Sequence, residues 1–307
     1  MTAKHYFEII DEKFPVRKTR EQKNAFLKYA KAAAEKMGYQ ARIEENKGAL
    51  THRNLVIGEP QRAQVIFTAH YDTPAANLWP DLQTPRNVPF SLFYQMLITA
   101  VLLAVSFCVM LGAHMAFGNA NLSLWLLPLA FVGLLGLIQY GPANRHNRND
   151  NTSGLAAALA LMAQLPTEKR EQAAFIFTDH SSQGALGARA YAKVHPQVQY
   201  TTMVIDLNCV GRGEALLGFA SRLARNHPAY EKLAEAFNGQ GQLYKSIGLA
   251  YTSDHSAFKC SVGLMACKKA PVLGWYVSRI HTGRDTQADT HLMQNAADLL
   301  TDFIEKL

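Results

Sequence analysis

The sequence predicts an α/β fold, a mixed β-sheet sandwiched by helices with a two-helix hydrophobic hairpin inserted into it. Three observations carry this expectation. Short β-rich runs alternate with amphipathic helical stretches, as in a sheet covered on both faces. Polar clusters fall directly after several of those runs, where such folds place their sites. A block of 58 residues, Asn87 to Asn144, contains no Asp, Glu, Lys or Arg.

Residues 20–37 read as an amphipathic helix, with Phe26, Leu27, Ala30, Ala33, Ala34 and Met37 on one face and Lys and Glu on the other. Strands are expected at 40–44, 54–57 and 64–68. After the uncharged block come a helix at 152–164, a strand at 173–178, a helix at 185–194 and a strand at 202–207. Strands at 215–219, 262–266 and 272–276 and helices at 228–237 and 291–306 complete the pattern.

The uncharged block contains two apolar runs, 89–117 and 122–140, joined by Gly118-Asn119-Ala120-Asn121. Each reaches the ~20 residues that cross a bilayer core as a helix. Trp125, Tyr94 and Tyr140 sit near run ends, where aromatic rings favour the membrane interface. The lipid bilayer is therefore the expected partner of both runs; the alternative is a hairpin buried against the domain or in a dimer interface. Arg86, Arg145 and Arg148 flank the block and its connecting loop is uncharged, which places both flanks in the cytoplasm. The first 35 residues are charged and lack the apolar core of a signal peptide. The expected organisation is one cytoplasmic domain from residues 1–86 and 145–307, with 87–144 as a two-pass membrane hairpin.

Composition excludes several classes. With 49% hydrophobic and 18% charged residues the chain is neither disordered nor collagen-like. A mean hydropathy of −0.08 excludes a polytopic transporter. Four cysteines without CxxC spacing make no disulfide framework or zinc finger. The net charge of +7 comes with no basic helix or aromatic-basic platform, so no nucleic acid is expected.

Four polar clusters remain: Ala69-His70-Tyr71-Asp72-Thr73, Asn149-Asp150-Asn151-Thr152-Ser153-Gly154, Ser253-Asp254-His255-Ser256-Ala257-Phe258, and Arg279-Ile280-His281-Thr282-Gly283-Arg284-Asp285-Thr286. A carboxylate two residues from a histidine suits a metal ligand with the group that orients it. Asp, Asn and Ser before a helix equally suit a plain cap.

In this order, together with Gln183-Gly184-Ala185-Leu186-Gly187-Ala188, the clusters resemble the zinc aminopeptidases of the bacterial leucyl aminopeptidase type, whose fold also serves glutaminyl cyclases and the transferrin receptor ectodomain. The resemblance covers the chain apart from the hairpin and roughly the first 15 residues. It implies one or two zinc ions and hydrolysis of N-terminal residues from short peptides. By resemblance His70 is a ligand of one metal, with Asp72 orienting it, Asp150 bridges two metals, and His281 is a ligand of the second. Asp254 and His255 match a stretch lining the substrate pocket.

Three positions depart from the family pattern. Aligning the glycines puts Ser181 at the general-base glutamate and Ser182 at a metal-ligating glutamate. Asn208 occupies the place of another ligand carboxylate. Each metal position then keeps two good ligands, where a catalytic zinc usually has three. A serine hydroxyl cannot take a proton from a metal-bound water, and losing a general base costs a factor of about 10² to 10⁴. His180, Asp179 and, with a two-residue register shift, Asp206 are the nearby groups able to substitute. Cys209 is expected to point to the face opposite Asn208, because strand side chains alternate. Two functions follow: a membrane-anchored metallo-aminopeptidase, or a catalytically inactive relative that binds or scaffolds. Glutaminyl cyclase chemistry is disfavoured because the glutamate position is lost there too.

Overall fold

A computed structural model describes residues 1–46, 51–79, 81–248 and 251–307. In chain order the elements are α1 (Ala3–Lys13), α2 (Arg20–Lys36), β1 (Ala41–Asn46), β2 (His52–Ile57), β3 (Val65–His70), β4 (Asp81–Gln83), α3 (Val88–Phe117), α4 (Ala120–Tyr140), α5 (Gly154–Gln164), β5 (Ala173–Thr178), α6 (Leu186–Val194), α7 (Pro196–Tyr200), β6 (Met203–Leu207), β7 (Ala215–Ala220), α8 (Arg222–Arg225), α9 (Ala229–Phe237), β8 (Gly241–Lys245), β9 (Ser261–Ala270), β10 (Gly274–Ile280) and α10 (Thr290–Glu305).

Among the described residues the strands form one mixed sheet in the order β1-β2-β5-β3-β6-β9-β10-β4, with β7 joined to β9 and β8 to β7. Its centre, β5-β3-β6-β9, is parallel. The period-2 alternation of these strands builds two separate cores. Val65, Phe67 and Ala69 of β3, with Phe175 and Phe177 of β5, pack under α1, α2, α5 and α10. Ile66, Ala174, Ile176 and Val204 face the other way, against α6 and α7. The result is the expected sheet sandwiched by helices.

The parallel registers His70↔Thr178 and Thr68↔Asp206 bring three strand ends to one edge of the sheet. The chain leaves β3 through Tyr71-Asp72, β5 through Asp179-His180 and β6 through Asn208-Cys209 at that edge. Two helix starts press against it. At Gly154 a Cβ would collide with the Leu207 carbonyl, and at Gly187 with the Asp179 carbonyl. Both positions need glycine so that α5 and α6 can approach the strand ends closely.

The hairpin is α3 and α4. Gly118 ends α3 in the left-handed region at φ +64° and Asn119 caps α4 by accepting from Leu122 N. Both helices are long and apolar enough to cross a membrane, and only 11% and 6% of their apolar windows are buried. That exposure corrects one sequence alternative: the hairpin is not buried against the domain. Phe93, Met96, Trp125, Leu129 and Val132 are each more than half exposed.

Five elements were not expected from the sequence: α1, the three-residue β4, the short helices α7 and α8, and the edge strand β8. Of these β4 matters most. It pairs with β10 so that Asp81 lies opposite Ile280, next to His281.

Candidate functional site

The site is a row of alternating acidic and imidazole groups. Asp72 Oδ1 lies 3.4 Å from His70 Nδ1, and His70 Nε2 lies 3.1 Å from Asp150 Oδ1. Asp150 Oδ2 lies 2.8 Å from His281 Nε2, and His281 Nδ1 lies 3.3 Å from Asp81 Oδ2. One carboxylate thus lies against both histidines, hydrogen-bonded to His70 through Oδ1 and ion-paired with His281 through Oδ2, and a second carboxylate stands beside each ring.

The row fixes the charge of its members. Burial, the largest single influence, drives both imidazoles toward neutrality, but Asp150 and Asp72 together outweigh it at His70, and Asp150 and Asp81 together at His281. His70 is raised well above its ordinary value and His281 to about 10. Burial pushes the carboxyl groups up in turn; His281 and His70 hold Asp150, and His70 and Lys23 hold Asp72, well below the usual carboxylate range. Stability from His281 is therefore fully present below pH 6.5 and lost as pH rises to about 10. In the presence of a chelator, the gap in melting temperature between wild type and His281→Gln is expected to narrow over that interval.

Neighbouring loops hold the row in place. Asp285 accepts the backbone N–H groups of Asn149 and Asp150, at 3.1 and 3.0 Å. The fully buried Arg17 donates to Tyr71 O and to the side chains of Asn147 and Thr152, tying the loop after β3 to the loop before α5. Asn151 donates to Leu207 O and accepts from Cys209 N, adding the end of β6.

The serines serve the carboxylate side of the row. Ser181 N donates to Asp72 Oδ1 at 2.9 Å and Ser182 Oγ to Asp72 Oδ2 at 3.0 Å. A cavity of about 390 Å³ is lined by His70, Asp81, Asp150, His281, Ser181, Ser182 and Asn208, along with Gln139 and Arg189. All the candidate ligand positions thus border one space. Asp254 and His255 are buried behind it, and Thr252, Ser253 and Ser256 form that wall instead. Asp254 accepts from Thr178 Oγ1, and burial beside Asp206 raises its carboxyl to about 7.

The nearby groups that the sequence offered as substitutes are engaged elsewhere. Asp206 keeps its ladder register and accepts from Thr68 Oγ1, Ser253 Oγ and His255 N. Asp179 pairs with Lys23 Nζ at 2.5 Å, both side chains being buried. His180 sits at φ +52°, with its ring nitrogens 3.2 Å from Lys23 Nζ and 3.1 Å from His52 Nδ1. Cys209 corrects the alternation argument: β6 ends at Leu207, Cys209 adopts φ +56°, and its Sγ lies 3.1 Å from Asn208 Oδ1 and 3.5 Å from Asp150 Oδ1. Burial and the Asp150 charge push its thiol well up, so it stays protonated.

Lys23 was invisible in the sequence, where it reads as one more lysine on a helix face. Lys23→Ala leaves Asp179 buried without a cation and is expected to cost about 3 to 5 kcal/mol. Lys23→Met with Asp179→Leu is expected to recover most of that loss. Differential scanning fluorimetry compares the two.

A dication fits this donor set poorly. Zinc in proteins takes three or four N, S or O donors in tetrahedral array. Beside His70 and Asp150 Oδ1 the next groups are the neutral carboxamide of Asn208 and the buried thiol of Cys209. Beside His281 and Asp150 Oδ2 the next hydroxyl, that of Ser182, is turned to Asp72. Among the described residues no three His, Cys, Asp or Glu side chains converge on a point suited to an ion.

Comparison with known proteins places the fold. A glutaminyl cyclase from Porphyromonas gingivalis superposes with a TM-score of 0.61 at 13% identity, over 99% of this chain and 98% of that one. A Zn-dependent exopeptidase from Parabacteroides distasonis does so with 0.64 at 16%, over 99% and 97%. A leucine aminopeptidase precursor from Bacteroides thetaiotaomicron gives 0.59 at 14%, over 100% and 96%. Identities this low establish shared architecture alone. No curated protein sequence matches the chain. The pattern of Peptidase family M28 matches residues 141–304, more than half of the 307 and the stretch that carries Asp150, the serine pair, Asn208 and His281. The chain belongs to Peptidase family M28.

Proposed function

We propose that this member of the family is anchored in a membrane by the 87–144 hairpin and binds polypeptide N-termini in the site cavity without hydrolysing them. The observation that carries the reading is the pair of serines beside Asp72. Hydrolysis by a metal-activated water needs a base at that point, and Ser181 and Ser182 supply only hydroxyl groups. The serine pair and Asn208 remove three negative charges from a site that elsewhere in the family holds zinc. Binding survives this loss. Asp150 and Asp81 border the cavity and suit a terminal ammonium, while Arg189 suits a peptide carbonyl.

Two further arguments support the anchor. The hairpin presents its apolar faces outward rather than to the domain. The cationic flanks lie on the domain side, where Arg145 is exposed, Arg148 pairs with Asp11 at 2.8 Å and Arg86 covers the Tyr244 ring. The second also agrees with a cytoplasmic domain. Zinc is expected at well below one ion per purified chain, measured by mass spectrometry, and leucine p-nitroanilide is expected to stay intact when zinc is added. Near-stoichiometric zinc with hydrolysis, both abolished by His70→Ala together with His281→Ala, overturns the non-hydrolytic reading and supports a membrane-anchored metallo-aminopeptidase.

A further inference from the structure

The hairpin does more at its base than leave the domain. Gln139 Nε2, on the last turn of α4, donates to Ser182 O at 3.2 Å. On the same side, Ala76 N bonds Pro142 O at 2.8 Å and Asn77 N bonds His281 O at 2.7 Å. The domain-side end of the hairpin is thus part of the wall of the site.

Helix lengths set the depth of that wall. α3 has 30 residues and α4 has 21, and they share one tight turn at the tip. Counting about 20 residues back from the tip spans the roughly 30 Å of a hydrocarbon core and reaches Ile98 on α3 and Gln139 on α4. These two side chains line one cavity of about 240 Å³ with Ile138, Trp79, Asp81 and His281. That cavity shares Asp81, Gln139, Ser182 and His281 with the larger site cavity, so the two adjoin. The smaller one lies at the level where lipid headgroups begin. Around it Leu78 is 96% exposed beside Trp79, and Tyr140 is 61% exposed. Such side chains are suited to that depth.

Resting on the reading above, in which the hairpin lies in a bilayer and the site binds peptide, we propose that the site is reached sideways along the membrane surface. Its ligand is the juxtamembrane end of a membrane-embedded polypeptide. The apolar part of that ligand stays in lipid beside Ile98 and Ile138, and its free terminus passes Trp79 to Asp81 and Asp150. A phosphate headgroup is the poorer occupant, because the row carries one more carboxylate than imidazole.

The test uses the full chain in phosphatidylcholine–phosphatidylglycerol vesicles, with p-benzoylphenylalanine replacing Trp79 or, in a second variant, Ile138. The probe is a short alanine-glycine peptide with a free N-terminus fused to one polyleucine transmembrane helix, compared with the same peptide unfused. Confinement to the membrane raises the local concentration, so the fused probe is expected to crosslink about tenfold or more above the free one. Placing the photoreactive group at the exposed Tyr200 instead is expected to give no adduct. Equal yields from both probes, adducts with phospholipid alone, or no adduct from a chain that floats with the vesicles each overturn the proposal. A chain that fails to float overturns the anchor itself, and this proposal with it.

Discussion

Ser181→Glu, Ser182→Glu and Asn208→Asp, made together, are expected to raise zinc affinity by on the order of 10²-fold or more. Groups only adjacent to metal ligands are worth about 10- to 100-fold, and here two of the restored groups sit at ligand positions. The scaffold is ready for the change. His70 and His281 already bring their Nε2 atoms within 3.1 and 2.8 Å of the two oxygens of Asp150, and Asp72 and Asp81 already stand beside the rings. What is lacking is negative charge near Ser182 and Asn208. Metal analysis of the triple variant should approach two zinc ions per chain. The glutamate at position 181 is expected to return about 10² to 10⁴ in hydrolysis of an N-terminal residue, the usual worth of a general base. A triple variant that folds but takes up no more zinc than the wild type shows that the three substitutions do not account for the poor donor set.

The second large effect concerns the hairpin. Phe107 lies near the middle of α3 and Leu129 near the middle of α4, 48% and 66% exposed. An arginine at the centre of a membrane helix costs about 3 kcal/mol on insertion scales. Phe107→Arg with Leu129→Arg is therefore expected to abolish insertion and release the chain from carbonate-washed membranes. The matched Phe107→Ala, Leu129→Ala chain is expected to remain in the pellet. Retention of the double arginine chain in washed membranes rules out insertion of these two helices.

The readable and unreadable parts of this sequence divide on range. The central strands announced themselves as short apolar runs rich in β-branched or aromatic residues, and β5 falls on the expected residues, Ala173–Thr178. The hairpin was plain because charge exclusion over 58 residues needs no partner to be recognised. The departures at Ser181, Ser182 and Asn208 are expectations that rest on aligning the neighbouring glycines. Gly187 cannot carry a side chain against Asp179, so the spacing around it is rigid.

Asp81, Lys23, Arg17 and Gln139 were not legible. Each acts on a residue far along the chain, from 43 positions for Gln139 and Ser182 to 200 for Asp81 and His281, and no local pattern reports such a contact. Asp81 stands in a three-residue strand, too short to show a period. Cys209 misled for the opposite reason. A local rule was applied two residues beyond the end of the strand to which it belongs, where a positive φ turns the side chain back.

The row from Asp72 to Asp81 also changes what the folded chain depends on. In a metal-dependent peptidase the ions neutralise the crowded carboxylates, so a chelator threatens the fold as well as the activity. On the non-hydrolytic reading proposed above, protons on His70 and His281 do that work. The domain is then expected to mature without a metallation step, its persistence in a cell set by acidity rather than by zinc nutrition.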